Sequence, residues 1–168
     1  MTKSLDGFVR FLNEASLSVG EFIDYTKLSK KSKVSRHTVP NYFEILEDTM
    51  IGERVFPAPQ YIDSVDLVKH PKFYFFDNGV LNGLHRDFNL SNTSRGGLAE
   101  QLVFNQIRFS AQTLDKKVNI NSFRTRGGFE VDFLVQIEGD EFAIEVKSSD
   151  RLIDSDVQSL KQIKQYGS

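Results

Sequence analysis

Two short runs of alternating side chains, joined by a polar turn, constrain this chain more than anything else in it: FRTRGGFEVDFLVQIEGDEFAIEVKSS, residues 123–149. Side chains two apart on a strand share a face. Glu130 and Asp132 therefore share one face of the first strand, with Val131, Phe133 and Val135 on the other. Glu145 and Lys147 share a face of the next strand, and Val146 turns away. If the strands pair as a hairpin, Asp132, Glu145 and Lys147 converge at one edge. Two carboxylates suit a hard divalent cation such as Mg²⁺, which takes oxygen ligands and keeps several waters. A lysine beside them stabilises phosphate charge or positions an attacking water. That is the minimal equipment of a metal-dependent phosphodiesterase. The same residues also make a solvated strand face with an ion pair, and the motif alone does not decide between the two.

At 168 residues the chain has room for one medium domain or two small ones. Its net charge of −2 carries no global basic signature, so any nucleic-acid contact must come from a local patch. Cysteine is absent, which removes disulfides and cysteine-based zinc sites and fits a reducing cytoplasm. No apolar run is long enough to span a bilayer. The start, MTKSLDGFVRFLNEASL, lacks the apolar core and cleavage site of a signal peptide. A cytoplasmic location without membrane contact is the expectation. No G-x-x-x-x-G-K-[ST] is present, so this chain is not expected to hydrolyse ATP.

Phe8, Phe11, Leu12 and Ala15 fall at helical spacing. Val19, Phe22 and Ile23 predict a second helical stretch, and residues 25–31 a short third one. Ser35 is placed to cap a helix whose apolar stripe is Val39, Phe43 and Leu46, with Tyr42 and Ile45. Pro40 falls in its first turn, and residues 50–56 read as extended. Short helix, turn, longer helix and β wing predict a winged helix-turn-helix over residues 1–60. A proline-bounded connector, 57–71, leads to the apolar β run KFYFFD, then a turn and helical start in NGVLNGL. Residues 85–97 read as a loop. LAEQLVFNQIRF reads as an amphipathic helix, with Leu98, Leu102 or Val103, and Ile107 or Phe109 on its apolar side. Extended runs at 118–125, 130–137 and 142–147 precede a final helix in DSDVQSLKQIKQYG. The order from residue 97 is α-β-β-β-α, within a second unit over residues 70–168. The chain is thus expected to be α+β or α/β.

Asp132 followed by Glu145-Val146-Lys147 resembles the PD-(D/E)XK nuclease superfamily, in which an acid on one strand precedes Glu-X-Lys on the next. Val131 stands where proline often does, a departure that superfamily tolerates. The α-β-β-β-α order is the core of its restriction-endonuclease-like fold. The resemblance implies a further metal-facing acid on the preceding helix, Glu100, and a glutamine or lysine from the following one. Gln158 and Lys161, three apart, are the candidates. It implies Mg²⁺ or Mn²⁺ held by Asp132, Glu145 and Glu100, with Lys147 and Gln158 completing a catalytic set. Related nucleases often pair to cut both strands, which makes a homodimer one expectation.

Almost the whole chain also resembles the C-terminal half of a prokaryotic AAA+-type ATPase family whose C-terminal region is a domain of unknown function. The stretches that carry this are SRHTVPNYFEILEDTMIGERVFP, HPKFYFFDNGVLNGL, GGLAEQLVFNQI and FRTRGGFEVDFLV with AIEVKSS. The resemblance implies a winged helix followed by a PD-(D/E)XK nuclease-like domain, an ATPase module in cis or trans, and a DNA-related role. Relatives continue past the last helix, so the nuclease-like domain is expected to be truncated at its C-terminus.

Lys27, Lys30, Lys31, Lys33 and Arg36 form a basic cluster with His37 beside it. In a winged helix this is the turn and the start of the recognition helix, which approaches the major groove. Glu44, Glu47 and Asp48, later in the same helix, oppose deep insertion. Arg124 and Arg126 read either as ion-pair partners of Glu130 or Asp132, or as a phosphate clamp beside the metal. Two functional readings stand. One is a Mg²⁺-dependent DNA endonuclease. The other is a non-catalytic module that docks DNA or protein for an attached ATPase. A plain transcriptional regulator leaves the acid-acid-lysine set unexplained.

Overall fold

A computed structural model of the chain describes residues 2–86, 95–149, 151, 153, 157–163 and 166. Helix α1 (Thr2–Ser16) buries Phe11 and Ala15. The helical stretch expected at Val19–Ile23 does not form. Gly20 takes a left-handed φ of +77°, and Phe22 makes an isolated antiparallel bridge to Lys72. Asp24 then starts α2 (Tyr25–Ser32), its carboxylate accepting the Thr26 and Lys27 N–H groups, each at 2.9 Å. Those bonds, the one from Lys27 first, hold the Asp24 carboxyl below its usual range. Before α3 (Thr38–Asp48), the Ser35 hydroxyl accepts the Thr38 N–H at 3.2 Å. Pro40 falls in the first turn, where its missing N–H has no intrahelical bond to lose. Val39, Phe43 and Leu46 are buried as the stripe predicts, while Ile45 is exposed.

A four-residue strand, β1 (Gly52–Val55), pairs antiparallel with β2 (Lys72–Phe75), Gly52 opposite Phe75. A Cβ on Gly52 would lie 2.6 Å from the Tyr74 carbonyl oxygen, so the ribbon needs glycine there. Phe73 and Phe75 face the helices; the Phe43 and Phe73 rings are 5.0 Å apart. Tyr74 faces the other way, into a core shared with the second half. Helix α4 (Asn78–His85) follows, Asp77 accepting the Val80 N–H at 3.0 Å.

The second half runs α5 (Arg95–Thr113), β3 (Val118–Arg124), β4 (Glu130–Ile137), β5 (Asp140–Ile144) and α6 (Gln158–Ile163), in the α-β-β-β-α order expected. The strands form an antiparallel sheet in the order β3-β4-β5. Glu138 and Gly139 both have positive φ, 53° and 97°, as a two-residue hairpin with the strands' own twist requires. The connector between β1 and β2, which includes a 3₁₀ turn at Pro59–Tyr61, runs along the outer edge of β3. Ser122 donates its N–H to the Phe56 carbonyl at 2.9 Å, and Val68 donates to the Arg124 carbonyl at 2.7 Å. An edge that would otherwise offer unpaired backbone is thereby covered. The protein is mixed α and β with two small antiparallel sheets. Among the described residues, no helix is long and apolar enough to cross a membrane.

Two expectations about faces are corrected. Strict alternation puts Val131, Phe133 and Val135 on one side of β4. The ladder instead slips between Asn121↔Leu134 and Phe123↔Val131, so β4 holds one extra residue, a β-bulge at Asp132–Phe133. Val131 and Leu134 consequently pack in one core cluster, and Phe133 and Val135 in another. On α5 the simple apolar stripe also fails. Leu102 is exposed, whereas Gln101 and Asn105 are buried. Gln101 Oε1 accepts the Phe75 N–H at 2.9 Å, and Asn105 Nδ2 donates to the Phe75 carbonyl at 3.1 Å. These side chains satisfy the edge of β2 that β1 leaves open, which a strand buried under a helix demands.

Candidate functional site: an acid cluster around a buried lysine

The bulge on β4 lies where the two halves of the chain meet. Asp132 sits in it. One step past the last β4–β5 pair, Phe133↔Ile144, the register sets Asp132 across from Glu145. The Val146 N–H donates to Asp132 Oδ2 at 2.7 Å, tying the segment after β5 to β4. Lys147 Nζ donates to Glu145 Oε1 at 2.7 Å. Glu145 Oε2 is buried with no hydrogen-bond partner among the described residues. Helix α5 supplies Glu100, whose Oε2 accepts the Tyr74 hydroxyl at 3.1 Å. A Cβ on Gly20 would come within 3.0 Å of that same oxygen, so the turn after α1 seats directly on Glu100. Asp132, Glu145 and Lys147, grouped by their spacing, and Glu100, implied by the resemblance, therefore gather in one region.

The centre of this region is a residue the motif does not contain. Lys72, at the start of β2, has a side chain only 1% exposed, and its ammonium lies 2.9 Å from Glu130, 3.6 Å from Glu100 and 3.7 Å from Asp132. The Phe22 ring lies 5.2 Å from the same nitrogen. One signal for it stood in the sequence. A lysine heads the otherwise apolar run KFYFF, and lysine is almost never fully buried unless paired.

Burial dominates the electrostatics. It pushes the Glu100 carboxyl up to about 7, against the opposing pull of Lys72 and the Tyr74 hydroxyl. Glu145 is raised by burial in the same way, with Lys147 opposing. Burial raises Tyr74 as well, and the neighbouring Glu100 adds to it. For Lys72 burial acts downward, but the surrounding carboxylates, Glu100 and Glu130 foremost, outweigh it and leave the ammonium more basic than usual.

This arrangement does not fit a divalent ion. Mg²⁺ requires oxygens at about 2.0–2.1 Å in a near-octahedral shell. Glu100 Oε2 already accepts the Tyr74 hydroxyl and Asp132 Oδ2 the Val146 N–H, and Lys72 forms ion pairs with both carboxylates, at 3.6 and 3.7 Å. Among the described residues, no group of three or more His, Cys, Asp or Glu side chains is placed to hold a metal ion. Gln158 and Lys161, on α6, are exposed, and no hydrogen bond from Gln158 reaches the acids among the described residues.

The candidate basic residues fall into two groups, one on the N-terminal helices and one at the end of β3. Lys30, Lys31, Lys33 and Arg36 are exposed on α2 and the turn before α3. Lys31 lies 3.5 Å from Glu14. Helix α3 itself, TVPNYFEILED, carries three acids and no lysine or arginine. Arg124 pairs with Glu130 at 3.5 Å and lies over the Phe22 ring; Arg126 pairs with Asp66 at 3.3 Å. Both arginines are thus ion-pair partners, Arg124 of an acid in the cluster itself.

Beside this region, β1 and α5 flank an open groove of about 770 Å³. Met50, Phe76, Phe104 and Phe109 line it with Glu53 and Arg108, which pair across it. Met50, Phe76 and Phe109 are exposed there.

Residues 2–94 match a domain of unknown function, DUF8612, and residues 95–168 match a second domain of unknown function, DUF4143. No curated protein and no solved structure matches the chain.

Proposed function

The chain belongs to the family of the domain of unknown function DUF8612; from the resemblance of its sequence to the C-terminal half of an AAA+-type ATPase family, we propose that it is a non-catalytic docking module for such an ATPase. In this reading α2, α3 and the β1–β2 ribbon form a winged helix-turn-helix, and α5 to α6 form a restriction-endonuclease-like core. What supports the reading is the occupied acid cluster: Lys72, hydrogen-bonded to Glu130, also forms ion pairs with Glu100 and Asp132, two of the carboxylates that a nuclease would leave for a metal. A second feature points to protein rather than DNA. A helix with three acids and no base is repelled by phosphate when it approaches a major groove. The groove between β1 and α5 is the surface offered to the partner. Its exposed apolar lining suits the apolar face of a partner helix, and Lys117 at its end favours an acidic residue there.

One observation favours the endonuclease reading instead, the buried Oε2 of Glu145 beside Lys147, unpartnered among the described residues. Two assays separate the readings. The docking module leaves supercoiled, linear and branched DNA intact in Mg²⁺ or Mn²⁺. It co-purifies with an AAA+ ATPase module, and Phe109→Asp, an exposed change in the groove, breaks the complex. DNA cleavage by the wild type that is lost in Asp132→Ala would sink the docking reading.

A further inference from the structure

We infer that Lys72 is the resident cation of the acid cluster: its ammonium takes the position and the charge that a divalent ion would otherwise supply, and it locks the two family-matched halves together. An ammonium has three N–H donors, and three carboxylates stand within reach of this one, at 2.9, 3.6 and 3.7 Å. The 2.9 Å separation from Glu130 is that of a charged hydrogen bond, and the two longer ones are ion pairs. The charges come within one of balancing without an ion. Glu100, Glu130, Asp132 and Glu145 face Lys72, Lys147 and Arg124, four acids against three bases, before any proton retained by a buried acid is counted. Water does not compete, because the Lys72 side chain is 1% exposed and Phe22 covers it.

The position of Lys72 in the chain makes this a latch as well as a filling. It lies in residues 2–94, while Glu100, Glu130 and Asp132 lie in residues 95–168. The connector along β3 and the seat of Gly20 on Glu100 join the same two halves. Lys72 is a buried charge in that junction, which the more exposed pairs Glu53–Arg108 and Asp66–Arg126 also bridge. A buried charge left without its partner is expensive, so removing the ammonium leaves carboxylates that must find a proton or another cation.

The inference deepens the non-catalytic reading above, but its test measures metal binding, whereas that reading is tested by ATPase association and DNA cleavage. Thermal melts are recorded for the wild type and for Lys72→Met, a neutral side chain of similar length, with and without millimolar Mn²⁺ or Mg²⁺. The wild type melts at the same temperature throughout. Lys72→Met melts several degrees lower without metal, and Mn²⁺ restores much of the loss, because the emptied cluster now takes a divalent ion. A rise of the wild-type melting temperature with metal that disappears in Asp132→Asn would overturn the inference. So would a folded Lys72→Met that ignores the metal. If Lys72→Met does not fold with or without metal, side-chain ¹⁵N NMR of the wild type decides. A Lys72 ammonium protected from hydrogen exchange and unchanged by Mg²⁺ supports the latch, and one that exchanges like a surface lysine refutes it.

Discussion

Glu100 makes the stability of this protein depend on pH in a direction opposite to that of an ordinary paired carboxylate. Its carboxyl is raised from 4.5 to about 7, chiefly by burial. Between those two values the folded state holds a proton that the unfolded state has released. The contribution is full below the unfolded value and is lost as pH rises through the folded one. At about 1.4 kcal/mol per pH unit the displacement corresponds to about 3 kcal/mol. The side chain keeps 19% exposure, so solvent screening trims this to about 2 kcal/mol. Groups facing it from every side are charged or polar: Lys72 and Tyr74 from β2, Glu130 and Asp132 from β4. All four persist in Glu100→Gln, so the difference between the two proteins isolates the titration. Urea denaturation from about pH 5 to about pH 8 is the assay, and wild type should lose about 2 kcal/mol relative to Glu100→Gln across that range. A stability difference that stays flat with pH, or moves the other way, would refute burial as the dominant influence on Glu100.

Gln101→Leu should cost about 1–3 kcal/mol in equilibrium unfolding, because it leaves the buried Phe75 N–H without its acceptor; Leu102→Ala, one residue along and exposed, should stay within about 0.5 kcal/mol. A comparable loss in both would mean that α5 is held by its apolar residues and not by its bonds to β2. Gly20→Ala should destabilise by about 1–2 kcal/mol, since it forces a left-handed φ of +77° on a side chain whose Cβ would meet Glu100 Oε2 at 3.0 Å; an unchanged unfolding midpoint would show that the turn does not seat on the cluster.

The sequence shows most where neighbours in the chain decide the structure. The stripe Val39, Phe43 and Leu46, the strand KFYFF and the α-β-β-β-α order all follow from local period and turn chemistry, and all appear. It misleads where a distant element decides. Val19–Ile23 carries helical spacing, yet Gly20 turns the chain so that Phe22 can pair with Lys72. Gln101 and Asn105 look like solvent-facing positions until β2 needs partners for its open edge. Alternation along β4 breaks at a bulge that only its pairing with β3 defines.

The acid cluster shows the same limit in its chemistry. Asp132, Glu145 and Lys147 can be picked out from the hairpin pattern and Glu100 through the family resemblance; Glu145 and Lys147 lie just past the end of β5, and the four gather in one region. What they do there is set by Lys72, which precedes Glu130 and Asp132 by a helix, a long helix and a strand. A motif reports which charges a hairpin brings together; it is silent on a cation delivered by a different strand. Two carboxylates and a lysine look the same in sequence whether the remaining charge is balanced by a metal or by a second lysine. The physical difference is that a metal can leave and a side chain cannot. On the proposal above, a cluster paired with a tethered and buried ammonium holds its geometry without a bound ion, which is what a fixed joint between two halves requires.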